Sequence, residues 1–256
     1  FRSITVAAYS APLIVSSGLL LNLDAASPDS YSGSGTTWTN LATAGKSMVP
    51  SFTINSQVIF NDGVFTNSKP NNLNIAYSTA SSNFGDLQNY TIEMWVKISS
   101  TDDIGASSTL FSQKISGGAG APVNFALMYN YNWGQSYPGN QFQLTHHYNG
   151  WEDVARSTSL LQSEVINNWV HVVGTFDLIT KTFKIYKNGV EVASGSATQN
   201  KTPKSSGLEY EIGSYWGGQN AGKVYGDYSI VNMYNRALSP LEVTTNYNAV
   251  KSRFGL

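Results

Sequence analysis

The chain has 256 residues, and its 15 Lys plus Arg face 16 Asp plus Glu, so charged residues make up only 12% of it. Without a basic excess nothing displaces counterions along a phosphate backbone, which excludes electrostatic nucleic-acid binding. The absence of cysteine excludes disulfides, thiolate catalysis and iron–sulfur centres, and no apolar run is long enough for a bilayer-spanning helix, so no membrane insertion is expected.

Residues 1–17 (FRSITVAAYSAPLIVSS) are apolar, interrupted by proline and lack a partner run nearby. They read as an N-terminal arm or linker, expected to dock on a neighbouring chain or an upstream region because Ile4, Val6, Tyr9, Leu13, Ile14 and Val15 are too apolar for a free tail. Residues 18–256 read as one domain, with no internal repeat or linker. Leu19, Leu21 and Leu23 open it in alternation. Segments rich in β-branched and aromatic residues then recur between Gly, Asn, Ser and Pro clusters, the spacing of many antiparallel strands. Residues 90–98 (YTIEMWVKI) place Tyr90, Ile92, Met94, Val96 and Ile98 on one face and Thr91, Glu93, Trp95 and Lys97 on the other. Residues 123–129 repeat the alternation with Val123, Phe125, Leu127 and Tyr129, and residues 141–147 place Phe142, Leu144 and His146 inward. Residues 169–176 are more uniformly apolar, as a strand covered on both faces would be. Asn149-Gly150 and Asn188-Gly189 lie between strand-like runs, and both predict hairpins because Asn and Gly accept positive φ in the tight primed turn. Ser239-Pro240-Leu241-Glu242 is a capping box with proline at the first helical position; Val243, Tyr247 and Val250 continue it as one apolar stripe. This predicts a short C-terminal helix on the outside of the strands.

Several stretches resemble the concanavalin A-like lectin/glucanase superfamily, in its laminin-G-like branch as found in bacteriophage and other virion structural proteins. They are SGLLLNLDAASPDSYSGSGTTWTNL (17–41), YTIEMWVKI followed by LFSQK, NNWVHVVGTFD with FKIYKNGVEV, and GDYSIVNMYNRALSPLEV. The ending NYNAVKSRFGL is similar to tails of phage structural proteins. The resemblance implies an all-β jelly-roll sandwich of two antiparallel sheets with one short C-terminal helix, its first strand pairing near its last. Function is not carried by fold and has to be sought in sites.

Hydrolysis of glycosides needs two carboxylates about 5–5.5 Å apart for retention or about 6.5–9.5 Å for inversion. The glucanase members use a Glu-x-Asp-x-x-Glu run, which is absent. Glu209 and Glu211 alone show alternate carboxylates on one predicted strand, and they read as solvent-facing charges. The chain therefore reads as non-enzymatic. His146 and His147 point to opposite faces of a strand, and His171 reads as a buried, hydrogen-bonded side chain, so no zinc or iron site is expected. Laminin-G-like domains often hold calcium at the sandwich rim, and Asp102, Asp103 and Asp227 offer hard oxygen ligands. The closing GDYSIV lacks the acidic pair of the related Gly-x-Ile-Asp-Glu-Val pattern. No cofactor is expected, with calcium at those aspartates kept as an alternative.

Neutral sugars are recognised by aromatic platforms for their C–H faces and by amides or carboxylates for their hydroxyls. Residues 128–141 (MYNYNWGQSYPGNQ) interleave Tyr129, Tyr131, Trp133 and Tyr137 with Asn and Gln. Tyr215 and Trp216 form a second group, and His147 and Trp151 a third at a hairpin tip. These eight are the candidate glycan-binding residues. The same aromatic loops also suit packing against an identical subunit or another virion protein. Uncharged polarity from Asn, Ser and Thr fits an extracellular or virion surface. The reading is a lectin-like domain of a tail fibre, head fibre or capsid decoration, acting in host attachment by contacting carbohydrate or a neighbouring subunit. The alternatives are a purely structural cementing or trimerisation domain, and a polysaccharide depolymerase.

Overall fold

The computed structural model of the chain describes residues 13–43, 51–68, 74–79, 89–99, 108–115, 123–129, 140–148, 151–157, 160–197, 208–214 and 224–256. Among them are sixteen strands. The first eight are β1 (Leu19–Asp24), β2 (Thr37–Trp38), β3 (Phe52–Ile54), β4 (Ile59–Asn61), β5 (Val64–Asn67), β6 (Ala76–Thr79), β7 (Asn89–Ile98) and β8 (Ser108–Ile115). The rest are β9 (Val123–Tyr129), β10 (Phe142–Tyr148), β11 (Trp151–Arg156), β12 (Trp169–Asp177), β13 (Thr182–Lys187), β14 (Val190–Ser196), β15 (Leu208–Ile212) and β16 (Gly226–Tyr234). A helix, α1 (Pro240–Val250), and a 3-10 turn (Lys251–Phe254) close the chain.

The strands form two antiparallel sheets. The first runs β14-β13-β12-β7-β16-β5-β4, with β1 also paired to β16; the second runs β11-β10-β9-β8-β15-β6-β3-β2. The first strand meets the last in one sheet, with Leu23 opposite Val231 and Leu21 opposite Met233. The two sheets pack as a sandwich with a short C-terminal helix, the jelly roll that the resemblance implied. Their inner faces share one core. Tyr90, Ile92, Met94, Val96 and Ile98 of β7 meet Phe125, Leu127 and Tyr129 of β9 and Phe142 and Leu144 of β10 within it. Tyr90 stacks on Phe125 across the gap, with centroids 4.5 Å apart.

The Asn188-Gly189 turn joins β13 to β14 with φ of 51° and 79°, the positive pair that the primed turn demands. Tyr148 pairs with Trp151, so β10 and β11 form the second expected hairpin, although Asn149 and Gly150 lie outside the described residues. Ser239 caps α1 and forms the reciprocal box with Glu242, behind Pro240.

Helix α1 lies on the outer face of the first sheet, which explains why β7 and β12 are buried on both sides. Val243 and Val250 are buried there and Tyr247 half-buried, but Asn246 joins the same face. Trp95, on the β7 face turned away from the core, is stacked on Phe254 (centroids 4.2 Å apart) and on Tyr247 (5.8 Å). Of the arm predicted at 1–17, residues 13–17 are described. Ile14 and Val15 pack against this chain's own clusters on that outer face, and the Val15 amide donates to Asn246 Oδ1 at 2.8 Å.

Candidate functional site

The second sheet presents its other face away from the core. Strand alternation puts Thr145 of β10, Ala126 of β9, Ser112 of β8, Glu211 of β15, Tyr77 of β6, Thr53 of β3 and Thr37 of β2 on it. Register joins them into a single row across seven strands, each residue the cross-strand partner of the next. At a strand spacing of about 4.8 Å, the row is about 29 Å long. One half of it is buried: Thr145 and Ser112 are at 0% exposure and Glu211 at 2%. The other half opens to solvent, beginning with Tyr77 at 44%. One rung away, Gln143, Met128 and Thr109 form a second buried row.

Glu211 corrects a sequence expectation. It is not a solvent-facing charge, because Ser112 and Tyr77 flank it across the sheet and the row is closed over at this point. Tyr210, between the two glutamates, points into the core, where burial raises its phenol well above the ordinary value, partly offset by a hydrogen bond from Gln113. Thr109 Oγ1 and Ser214 Oγ are buried and find no hydrogen-bond partner among the described residues. Such hydroxyls cost about 1–3 kcal/mol each when unsatisfied.

The strand ends organise the predicted aromatic residues. β9 and β15 both pair antiparallel with β8 and are therefore parallel to each other. Segment 130–139 leaves the C-terminal end of β9 and segment 215–223 follows β15, so both depart from the same end of the second sheet. Segment 101–107, with Asp102 and Asp103, enters β8 at Ser108, which pairs with Tyr129 at that same end. Tyr131, Trp133, Tyr137, Tyr215, Trp216, Asp102 and Asp103 themselves lie outside the described residues. The His147–Trp151 hairpin sits at the other end of β10, about 20 Å at the usual rise per residue from the strand end where segment 130–139 begins. Tyr129 is corrected as an exposed platform. It is at 0% exposure, packs on Phe142 in the core with centroids 5.1 Å apart, and burial pushes its phenol up to about 12.

Asp227 lies on the first sheet instead. Its carboxylate accepts from Thr66 Oγ1 at 2.8 Å and stands 3.8 Å from the Lys97 ammonium. Among the described residues no three His, Cys, Asp or Glu side chains converge as a metal site would require.

Sequence reasoning missed a second polar cluster, beneath α1. Glu93 Oε1 lies 2.7 Å from His171 Nε2, and Glu93 Oε2 accepts from Asn246 Nδ2 at 2.8 Å and Asn232 Nδ2 at 3.5 Å. Asn246 also donates to Tyr234 OH at 2.9 Å. A carboxylate can only accept, so the proton of this contact sits on His171 Nε2. Burial, and then the Glu93 charge, raise the Tyr234 phenol. The cluster is closed by the protein's own helix and fastens β7, β12 and β16 to α1.

Comparison with known proteins agrees with this architecture. A laminin G family model, described as concanavalin A-like lectin/glucanases superfamily, matches residues 69–244. The chain belongs to this superfamily. No curated protein is similar to it in sequence. Among solved structures, the botulinum neurotoxin serotype G binding domain superposes with a TM-score of 0.62 at 19% identity, over 91% of this chain and 51% of that one. Trypanosoma rangeli sialidase in complex with a difluoro-nononic acid gives 0.61 at 16% identity, over 93% of this chain and 33% of that one. The binding domain of paraclostridial mosquitocidal protein 1 gives 0.58 at 14% identity, over 91% and 52%. This superfamily member thus spans one third of the sialidase chain and about half of each toxin domain. The sialidase matches correct the non-enzymatic reading: the fold occurs within the chain of an enzyme, and the missing Glu-x-Asp-x-x-Glu run excludes one arrangement of carboxylates and not catalysis as such.

Proposed function

We propose that the domain is a lectin-like module that binds carbohydrate on the outer face of the second sheet and is carried on a virion surface, in a tail fibre, head fibre or capsid decoration. The carrying observation is the open half of the cross-strand row, where Tyr77, Thr53 and Thr37 stand side by side and exposed. It combines hydroxyls and a half-open phenol ring on a sheet whose other half, from Thr145 to Glu211, is buried. That is the mixture of fixed polar groups and aromatic surface that a neutral sugar requires. Segments 130–139 and 215–223, which carry the candidate residues Tyr131, Trp133, Tyr137, Tyr215 and Trp216, join the sheet at one end of this face. The virion setting is supported by the likeness of the opening and closing stretches to phage structural proteins. Adjacent subunits are the other partners that such a setting would bring.

A glycan array followed by calorimetry tests the binding. The domain should bind at least one glycan reproducibly, with affinity lowered about tenfold or more by Trp133→Ala or Tyr77→Ala, the usual scale for an aromatic anchor. Binding that both variants leave intact would overturn the assignment of this face. Antibodies against the domain should decorate intact particles; failure to do so would overturn the virion setting.

A further inference from the structure

The outer face of the first sheet is not wholly covered by α1. Beside the helix N-terminus it forms a trough of about 480 Å³, within the size range of small-molecule sites, about 300–1,000 Å³. Its floor follows from register. Thr175 pairs with Lys184 and Asp177 with Thr182, so all four share the face, with Tyr186 two residues further along β13. Residues 236–240, linking β16 to α1, make the opposite wall.

The charges here are already balanced. Lys184 Nζ contacts Glu191 at 2.9 Å, and Arg236 grips Glu242 through two bonds of 2.9 and 2.6 Å. Asp177 Oδ1 accepts from the amides of Ile179 at 2.8 Å and Thr180 at 3.2 Å. The helix N-terminus is likewise occupied, since Ser239 and Glu242 cap each other. An added anion would meet Asp177 and Glu242, and an added cation would meet Lys184 and Arg236. A neutral ligand rich in hydroxyls meets donors and acceptors that are fixed by their own partners, with little left to reorganise. Burial and the neighbouring Glu191 charge push the Tyr186 phenol up to about 12, and the ring lies buried under the trough floor with its hydroxyl closed to solvent. Ala237 and the Pro240 ring add a small apolar surface suited to a sugar C–H face.

We propose that this trough binds a neutral saccharide, giving the domain a second carbohydrate site on the sheet opposite the first. It does not rest on the site proposed on the second sheet. Two sites on opposite faces would let one domain bridge two glycan chains, converting modest affinities into avidity.

The test is an amide chemical-shift titration of the isotope-labelled chain with neutral hexoses, N-acetylhexosamines and their disaccharides at millimolar concentration. Inorganic phosphate serves as the charged control. At least one saccharide should shift the amides of residues 175–184 and Ser239, and phosphate should not. Thr182→Trp fills the trough from a strand position that tolerates a large side chain, and it should abolish those shifts. Lys184→Gln, which removes no backbone contact, should weaken them several-fold and serves if the tryptophan variant fails to fold. The proposal is overturned if no saccharide moves these amides, if phosphate moves them more, or if a folded Thr182→Trp still responds. Shifts at Tyr77 lost in Trp133→Ala while the trough still responds would count against the second-sheet site alone.

Discussion

Neutralising Glu242 tests how α1 is fastened to the sandwich. Its carboxylate accepts from both terminal nitrogens of Arg236, from the Ser239 amide at 2.9 Å and from the Ser239 hydroxyl at 2.9 Å. The Arg236 guanidinium foremost, with the Ser239 donors, holds the carboxyl down to about 2 from an ordinary 4.5, while partial burial pushes the other way. A pKa lowered by folding stabilises the native state above the unfolded-state value, and that stability is lost as pH falls from about 4.5 toward 2. The difference of about 2.5 pH units corresponds to about 3 kcal/mol for a fully insulated group. The Glu242 side chain is 30% exposed, and solvent screening reduces the figure to about 1–2 kcal/mol. Glu242→Gln keeps the shape and one oxygen for the Ser239 cap, while it removes the charge and replaces one acceptor of Arg236 with an NH2 group. In urea denaturation it should be about 1–2 kcal/mol less stable than wild type at neutral pH, a gap that closes as pH approaches about 2. Parallel stability curves across the acid range would refute the assignment of this charge to the fastening.

Three further outcomes follow from the packing. His171→Leu leaves the Glu93 carboxylate buried without its closest partner and should cost about 3–5 kcal/mol in chemical denaturation, with part of the loss recovered when Glu93→Leu is added. Gly226→Ala should destabilise by about 3 kcal/mol or more by the same measurement, because at φ 150° the new Cβ would run into the Lys97 carbonyl oxygen. A thermal melt with excess EDTA should match one without it, since Asp227 is engaged by Thr66 and stands beside Lys97; a drop of several degrees restored by calcium would show that other oxygens assemble a rim site.

The elements legible in the sequence are those whose signal is local. β7, β9 and β10 announce themselves by alternation over seven residues or more, β12 by its nearly continuous apolar run, and the β13–β14 hairpin by a dipeptide that permits positive φ. The capping box fixes the start of α1 to the residue. By contrast β2 to β6 are two to four residues long, too short for a period to be counted, and their pairing is set by the sheet around them. Long-range register was equally hidden. Glu93 and His171 are 78 positions apart, and only the pairing of β7 with β12 makes them neighbours. Trp95 alternates as though it faced away from the interior, and it does; it is buried because a helix and turn some 150 residues later lie over it. Glu211 was misread for the same reason, since a strand pattern gives the face of a side chain but not what covers that face.

The two outer faces of the sandwich divide the chemistry between them. On the first sheet the buried carboxylate of Glu93 is met by the His171 ring and the amides of Asn246 and Asn232, groups that the chain itself supplies by folding α1 across β7 and β12. Truncating any of them would expose a cost already offset within the domain, so these residues explain stability, while His171 Nδ1 and Asn232 Oδ1 stay buried without a partner among the described residues. On the second sheet Glu211, Ser112 and Thr145 are as deeply placed, but no helix among the described residues lies on them, and Thr109 Oγ1 and Ser214 Oγ remain without partners there. Both hydroxyls are closed to solvent, so their cost of about 1–3 kcal/mol each falls on the fold itself, and the part of this face that a sugar can reach begins at Tyr77. The same contrast separates the trough beside α1 from the cluster beneath it. In the trough Lys184 and Arg236 are paired with carboxylates and Asp177 is held by two backbone amides, which selects for a neutral polar ligand; in the cluster Glu93 is met by the His171 ring and the asparagine amides, which select only for this chain's own native state.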